Sequence, residues 1–408
     1  MYSLHLSPEQ LQIRDTVRDF VAQEIKPRAL APQRLEASAR PILAEVLDQA
    51  SQLGLRTLAL SEEAGGAGAD NLTCCIVTEE LAVGDPDLAA VLAQTSTLAH
   101  ALFDELMTQE QRARLLPAFL ADQRHHLALA EHEAHRDTAL GINYHRPQAN
   151  DARFATVAVR SGDAWIINGR KDRVIGASQA ALFAVRASLG DKGAGTLLVP
   201  RDTPGLTVMP SAADARWQHG ACGALVLQDC RVPAENCLAA DAALFDRAGR
   251  DIPQDAAINL GIGRAAYEAA LDYAQLRVQG GRRIIEHQAI GAKLAEIAVR
   301  LEVARAAIWQ AAWASDHPDA VADRSLPDLP LTTIAGVFAA EAIYRAVKDA
   351  AECFGAMGVM RDMPPHKYVH DARACLHSGV VVSEAKLRIA EALARYRRPA
   401  RAAVVAAE

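Results

Sequence analysis

Long hydrophobic runs are missing from this sequence. Half of its 408 residues are hydrophobic, yet no stretch approaches the roughly 18 consecutive apolar residues that a membrane-spanning helix needs. The apolar residues are interspersed with polar ones, and the length suffices for a large core in two or three domains. Basic charge is not in excess either: 43 Lys and Arg stand against 50 Asp and Glu, a net charge of -7. Aromatics make up only 5% of the chain, and no Lys/Arg-rich block is interleaved with them, so a track for a phosphate backbone is lacking and nucleic acid is excluded as a partner. Paired cysteine spacings are absent. The seven cysteines are odd in number, include the adjacent Cys74 and Cys75, and form no CxxC motif. With no secretory apolar segment at the N-terminus, the expectation is reduced thiols in the cytoplasm. No internal repeat interrupts the chain.

What is present is a hydrophobic period that changes twice. From "LSPEQLQIRDTVRDFVAQEI" to "QEQRARLLPAFLADQ" apolar residues recur at helical spacing, with Ser7 placed to cap a helix and Pro8 in its first turn. Between "ARFATVAVRSGDAWIINGRK" and "ALVLQDCRVPAENCL" short β-branched runs alternate with polar residues and are broken by the turn sequences "SGD", "DKGAG" and "RDTPG". Long Ala-rich helical stretches then return, two of them separated by the Pro/Asp-rich "SDHPDAVADRSLPDLPL", which reads as a surface loop. The expected class is α+β: an N-terminal helical domain over 1–125, a central antiparallel β domain over 126–240, and a C-terminal four-helix bundle over 241–408.

Within that order stand five local phrases: "SEEAGGAGAD", "WIINGRK", "RVPAEN", "YAQLRVQGGRRIIEHQAIGAKLAE" and "FGAMGVMRDMPPHKYVHDAR". Taken together they resemble the acyl-CoA dehydrogenase family over nearly the whole chain. The resemblance implies FAD held between the β domain and the bundles, a homotetramer or heterotetramer, oxidation of an acyl-CoA thioester to its 2,3-enoyl form, and an electron-transferring flavoprotein as acceptor.

That reaction needs a carboxylate to remove the Cα proton while flavin N5 takes a hydride from Cβ. Most of the family carries this base as a Glu nine positions beyond the start of an Arg-Asp-Ala-Arg type phrase. Here the phrase is "HDAR" from His370, and the ninth position is Gly379. Glu384 lies five residues further, roughly 140° around a helix. A second branch, of the isovaleryl-CoA type, places its base ten residues before a Gly on the first bundle helix. Counting back from Gly261 reaches Asp251, which reads either as that base or as an acid favoured at a helix start.

The flavin contacts implied by the resemblance are rewritten. "ALAEHEAHRD" aligns with the family's Thr-Glu-x-x-x-Gly-Ser-Asp loop, so Leu129, Ala130 and Arg136 take flavin positions, with Glu131 and Asp137 keeping the acidic ones and His135 in place of Gly. Where the family has Trp-Ile-Thr against the ring, this chain has Arg173, Val174 and Ile175. Arg136 and Arg173 suit a carboxylate on the substrate, or local pairing with Asp137 and Asp172. For the pyrophosphate, Arg277 and Gln279 match one family segment. Glu352, Gly355, Ala356 and Gly358 match a second, which reaches in from a neighbouring subunit; an ionised Glu352 beside phosphate repels it unless paired. No metal is expected, since His125, His126, His132 and His135 lack the spacing of a metal helix. Two other readings stay open: a catalytically silent partner subunit, and a flavin monooxygenase using His377.

Overall fold

The computed structural model describes residues 5–35, 41–133, 154–190, 193–210, 222–238, 253–376 and 382–394. Asp251, His135, Arg136, Asp137, His377 and Gly379 lie outside the described residues. Helix α1 (Pro8–Phe20) starts as its sequence implies. Ser7 Oγ accepts the Gln10 N–H at 3.1 Å, and the Ser7 N–H donates back to Gln10 Oε1 at 3.0 Å. Helices α2 (Lys26–Ala29), α3 (Ala44–Gln52), α4 (Asn71–Gly84), α5 (Pro86–Ala99) and α6 (Gln109–Ala121) complete the N-terminal part. Every residue of α4 from Leu72 to Gly84 is buried, so this helix has no solvent face.

Among the described residues seven strands follow: β1 (His126–Ala130), β2 (Val157–Ser161), β3 (Ala164–Val174), β4 (Ala180–Ser188), β5 (Ala194–Pro200), β6 (Leu206–Pro210) and β7 (Gly223–Pro233). They form one sheet in the order β1-β4-β2-β3-β7-β6, with β5 on β4. The hairpin-linked strands pair antiparallel, as expected. β1 instead runs parallel to β4, and β2 meets β4 in parallel at Val157 and Ser188, because β1 enters the sheet from the helical part and not through a hairpin. Gly169, within "WIINGRK", has φ 149°, and a Cβ there would lie 2.5 Å from Thr156 Cα, so only glycine lets β3 pass the segment entering β2.

The C-terminal part consists of α7 (Pro253–Leu276), a hairpin of β8 (Val278–Gln279) and β9 (Arg282–Arg283), α8 (Gln288–Asp316), α9 (Asp319–Ala322), α10 (Leu331–Cys353), α11 (Pro364–Cys375) and α12 (Val382–Leu393). The Pro/Asp-rich stretch is thus not all loop, for it holds the single turn α9. Helices α7, α8, α10 and α11 make the bundle, and α12 packs on α10. Among the described residues no helix is long and apolar enough to cross a membrane.

The N-terminal helices and the bundle share one apolar core, running from Val17 and Leu81 through Leu260 and Leu301 to Ala372. α7 lies so close on α4 that a Cβ on Gly261 would be 2.5 Å from the Glu79 carbonyl oxygen. An ionic network crosses the same junction. Arg264 of α7 donates to Glu79 at 2.8 Å and to Glu80, Arg305 of α8 donates to Glu79 at 2.8 Å, and Arg18 of α1 donates to Glu80 at 2.7 Å. The sheet has its own core and docks on α5 and α6 through Leu98, Phe119, Leu127, Leu182 and Leu198.

His126 sits in that docking surface, 2% exposed, with Nδ1 3.3 Å from Thr95 Oγ1. Burial, reinforced by Arg56, pushes its pKa down to about 4. The unfolded chain therefore takes up this proton first as pH falls below about 6.5, so the stability is full above that pH and drains away towards about 4. His126→Gln is expected to remove about 2 kcal/mol of the acid destabilisation between pH 7 and 5, read from urea midpoints at each pH. An unchanged slope would mean that His126 does not titrate with unfolding.

Candidate functional site

The two segments expected to hold the flavin ring lie about forty residues apart in sequence, and the fold joins them. β1 leaves the sheet after Ala130, β3 bulges between Lys171 and Val174, and the Asp172 N–H donates to the His132 carbonyl at 2.8 Å. Lys171, wholly buried, reaches back to Glu133 Oε1 at 2.6 Å and to the Glu131 carbonyl at 3.3 Å. On the helical side the Leu129 N–H donates to Gln94 Oε1 of α5 at 3.3 Å, and Ile175 packs on the shared core. Leu129, Ala130, Arg173 and Ile175 thus gather where the sheet meets α5. Arg173 takes a left-handed conformation, φ 53°, uncommon for a residue other than glycine.

Residues expected at the pyrophosphate gather elsewhere, at one end of the bundle. Arg277 and Gln279 are exposed on the β8–β9 hairpin, which is closed by the Ile284 N–H to the Arg277 carbonyl at 2.9 Å. His287 Nε2 lies 3.0 Å from the Gln279 carbonyl, which makes it the donor nitrogen and leaves Nδ1 to accept from Arg282 at 3.3 Å. Tyr273 stacks on Phe354 with centroids 4.3 Å apart, bringing the turn holding Gly355, Ala356 and Gly358 to the same end. Gly358 is buried, and any side chain there would strike the Ala351 carbonyl. Glu352 is ion-paired with Lys293, so its expected repulsion of phosphate is neutralised from within the chain. Among the described residues no hydrogen bond or ion pair joins this group to the one at β1 and β3.

The histidines do not converge. His125 stands edge-on to Phe119, His126 meets Thr95 and His132 adjoins Arg173; no group of three potential metal ligands exists among the described residues. Glu384, the carboxylate nearest in sequence to the usual base position, is buried and bonded to Arg388 at 2.8 Å.

The acyl-CoA dehydrogenase N-terminal domain family matches residues 7–123, and the acyl-CoA dehydrogenase C-terminal domain family matches residues 253–376. A probable acyl-CoA dehydrogenase, YngJ, of Bacillus subtilis is 31% identical over 385 residues, 91% of this chain and 94% of that one. The chain belongs to the acyl-CoA dehydrogenase family. The mitochondrial isobutyryl-CoA dehydrogenase of Dictyostelium discoideum is 27% identical over 95% of this chain and 89% of its own. The fold matches butyryl-CoA dehydrogenase from Megasphaera elsdenii with a TM-score of 0.82 at 23% identity, covering 97% of this chain and all of that one. Like its family, this acyl-CoA dehydrogenase homologue is a flavin oxidoreductase that uses FAD.

The β1–β3 junction fits the polar edge of a flavin. Among the described residues, His132 Nδ1 and Arg173 Nε are buried without a hydrogen-bond partner. Burial, with Arg173 beside it, pushes His132 down to about 4, so the ring is neutral at pH 7; burial also lowers Arg173. Such orphaned groups cost about 1–3 kcal/mol each, and a flavin ring edge offers both acceptors and a donor to meet them. Ala130 and Ile175 supply no hydroxyl, so among Leu129, Ala130, Arg173 and Ile175 only Arg173 carries a side-chain hydrogen-bond donor. His132, considered in the sequence only as a metal ligand, gains this place from the Asp172–His132 backbone bond, which no local pattern announces.

Proposed function

We propose that this chain oxidises an acyl-CoA thioester to its 2,3-enoyl-CoA, with Asp251 as the base that takes the Cα proton. The observation that carries this reading is the state of the competing carboxylate: Glu384 is committed to Arg388, while Gly379 has no side chain to offer. Support comes also from the start of α7, where Pro253 and Gln254 are buried and Gln254 Nε2 donates to Asn71 Oδ1 of α4 at 3.3 Å. In this reading Asp251, two residues ahead, meets a thioester shielded from water. FAD supplies the acceptor for the hydride leaving Cβ. Arg173 and Arg136 align the ring edge.

The pyrophosphate is held by Arg277 and Gln279 of one subunit, with the Gly355–Gly358 turn reaching the cofactor of a neighbour. That division suits a homotetramer or heterotetramer. It accounts for the exposed Leu276, Val278 and Val359 beside Arg277, apolar side chains that a partner subunit would cover. Arg277→Ala is expected to weaken FAD binding about 10- to 100-fold, the worth of one charge-assisted hydrogen bond to phosphate. Titration of flavin-free protein with FAD reads this directly, and an unchanged affinity would count against the assignment.

An electron-transferring flavoprotein in the cytoplasm completes the turnover. The silent-subunit reading is favoured by one feature, the missing hydroxyls at Ala130 and Ile175. Anaerobic addition of short and branched acyl-CoA thioesters separates the two. Bleaching of the flavin bands by the chain alone supports the enzyme, and bleaching only after a related subunit is added overturns it in favour of a silent partner.

A further inference from the structure

We infer that the buried Lys171–Glu133 pair is a positioning device for the flavin-binding strand ends, setting the distance between residues 129–132 and 173–175. The inference rests on the reading that those residues face the flavin. Among the described residues β1 pairs only with β4, and that pairing ends at Ala130. Beyond it, one backbone hydrogen bond among the described residues, Asp172 to His132, ties residues 131–133 to the bulge of β3. A single such bond between two strand ends outside a ladder fixes neither spacing nor register.

Side chains add what the ladder lacks. Lys171 is 0% exposed and Glu133 6%, so neither charge has water to fall back on. The ammonium bonds Glu133 Oε1 at 2.6 Å and the Glu131 carbonyl at 3.3 Å, and it lies 4.3 Å above the Phe154 ring. Glu133 in turn accepts the Ala155 N–H at 2.8 Å and the Thr156 N–H at 3.0 Å, which anchors it to the entry of β2. Arg186 covers the other end, bonding Glu131 at 2.9 Å with its guanidinium 5.1 Å from the same Phe154 ring. Any sliding of β1 along the bulge separates two buried opposite charges, so the arrangement resists displacement strongly. Lys171 acts through the backbone of residues 131–133 and touches no substrate or cofactor itself; it is a positioning residue.

The test uses the holoenzyme of the single variant Lys171→Met and the double variant Lys171→Met/Glu133→Gln. The single variant leaves a buried carboxylate unpaired and is expected to lower Tm markedly. The double variant removes both charges and keeps one side-chain oxygen to accept from the Thr156 or the Ala155 N–H, losing the other of these bonds, and is expected to recover most of the Tm lost by the single variant. Despite that recovery, amide hydrogen exchange at 129–132 should quicken and FAD affinity should fall about tenfold, since 1.4 kcal/mol of lost preorganisation is one decade. Wild-type exchange and FAD affinity in the double variant would overturn the proposal and leave the pair as interior filling. Faster exchange with unchanged FAD affinity would instead overturn the flavin placement of these residues.

Discussion

Asp251→Asn is expected to leave FAD bound and to slow thioester-dependent flavin bleaching by about 10³-fold, the contribution of a well-placed general base. Asn keeps the shape of the side chain and removes its capacity to take a proton, so a change confined to chemistry separates the base from a structural acid. Two influences on Asp251 oppose each other. A helix N-terminus favours the carboxylate form and weakens the base, whereas desolvation by flavin and acyl chain favours the protonated form and strengthens it. The reading requires the second to win once substrate is bound. It also requires reach, because Asp is one methylene shorter than the Glu of the isovaleryl-CoA type, and reacting atoms must come within roughly 3 to 3.5 Å. Asp251→Glu is therefore expected to retain activity and to shift preference among acyl groups. Exchange of the Cα proton with D2O gives an independent measure, and it should vanish in Asp251→Asn. Wild-type bleaching in that variant would make Asp251 a helix-terminal acid only and move the silent-subunit reading ahead.

How much of this site the sequence discloses depends on how local each signal is. The cap at Ser7 and the helical and β periodicities are set by neighbours within a few residues, and these reproduce in the structure. The flavin segments 129–130 and 173–175 are recognisable as phrases, yet nothing local says that Lys171 will meet Glu133 or that His132 will lie against Arg173. Glu352 looks repulsive in the sequence because its neutralising partner, Lys293, is 59 residues away on another helix. The parallel pairing of β1 with β4 is hidden for the same reason. α4 is the clearest case. Its Glu79 and Glu80 are both buried, since cations from α1, α7 and α8, far away in sequence, converge on them.

That convergence leads to the second large effect: Arg264→Leu is expected to cost about 3–5 kcal/mol of stability, a large share of the roughly 5–15 kcal/mol that holds a protein folded. Among the described residues Arg264 is the one cation bonded to both carboxylates, so its loss leaves Glu79 to Arg305 and Glu80 to Arg18, each without its second donor. Burial alone would raise the Glu80 carboxyl, but hydrogen bonds from Arg264 and Arg18 outweigh it and hold its pKa below the usual value. A depressed carboxyl contributes stability above its unfolded pKa, about 4.3, and loses it as pH falls through the folded value. The gap between wild type and Arg264→Leu should therefore be widest near neutral pH and narrow below about pH 5, where the variant relieves its buried charge by taking up a proton. Arg264→Lys keeps the charge but cannot serve two carboxylates through one planar fork, and should fall between the two. Urea midpoints at pH 7 and pH 4.5 read all three proteins. A loss under 1 kcal/mol at pH 7, or a gap that does not change with pH, would show that Arg305 and Arg18 suffice and that Arg264 is not what fastens α7 to α4.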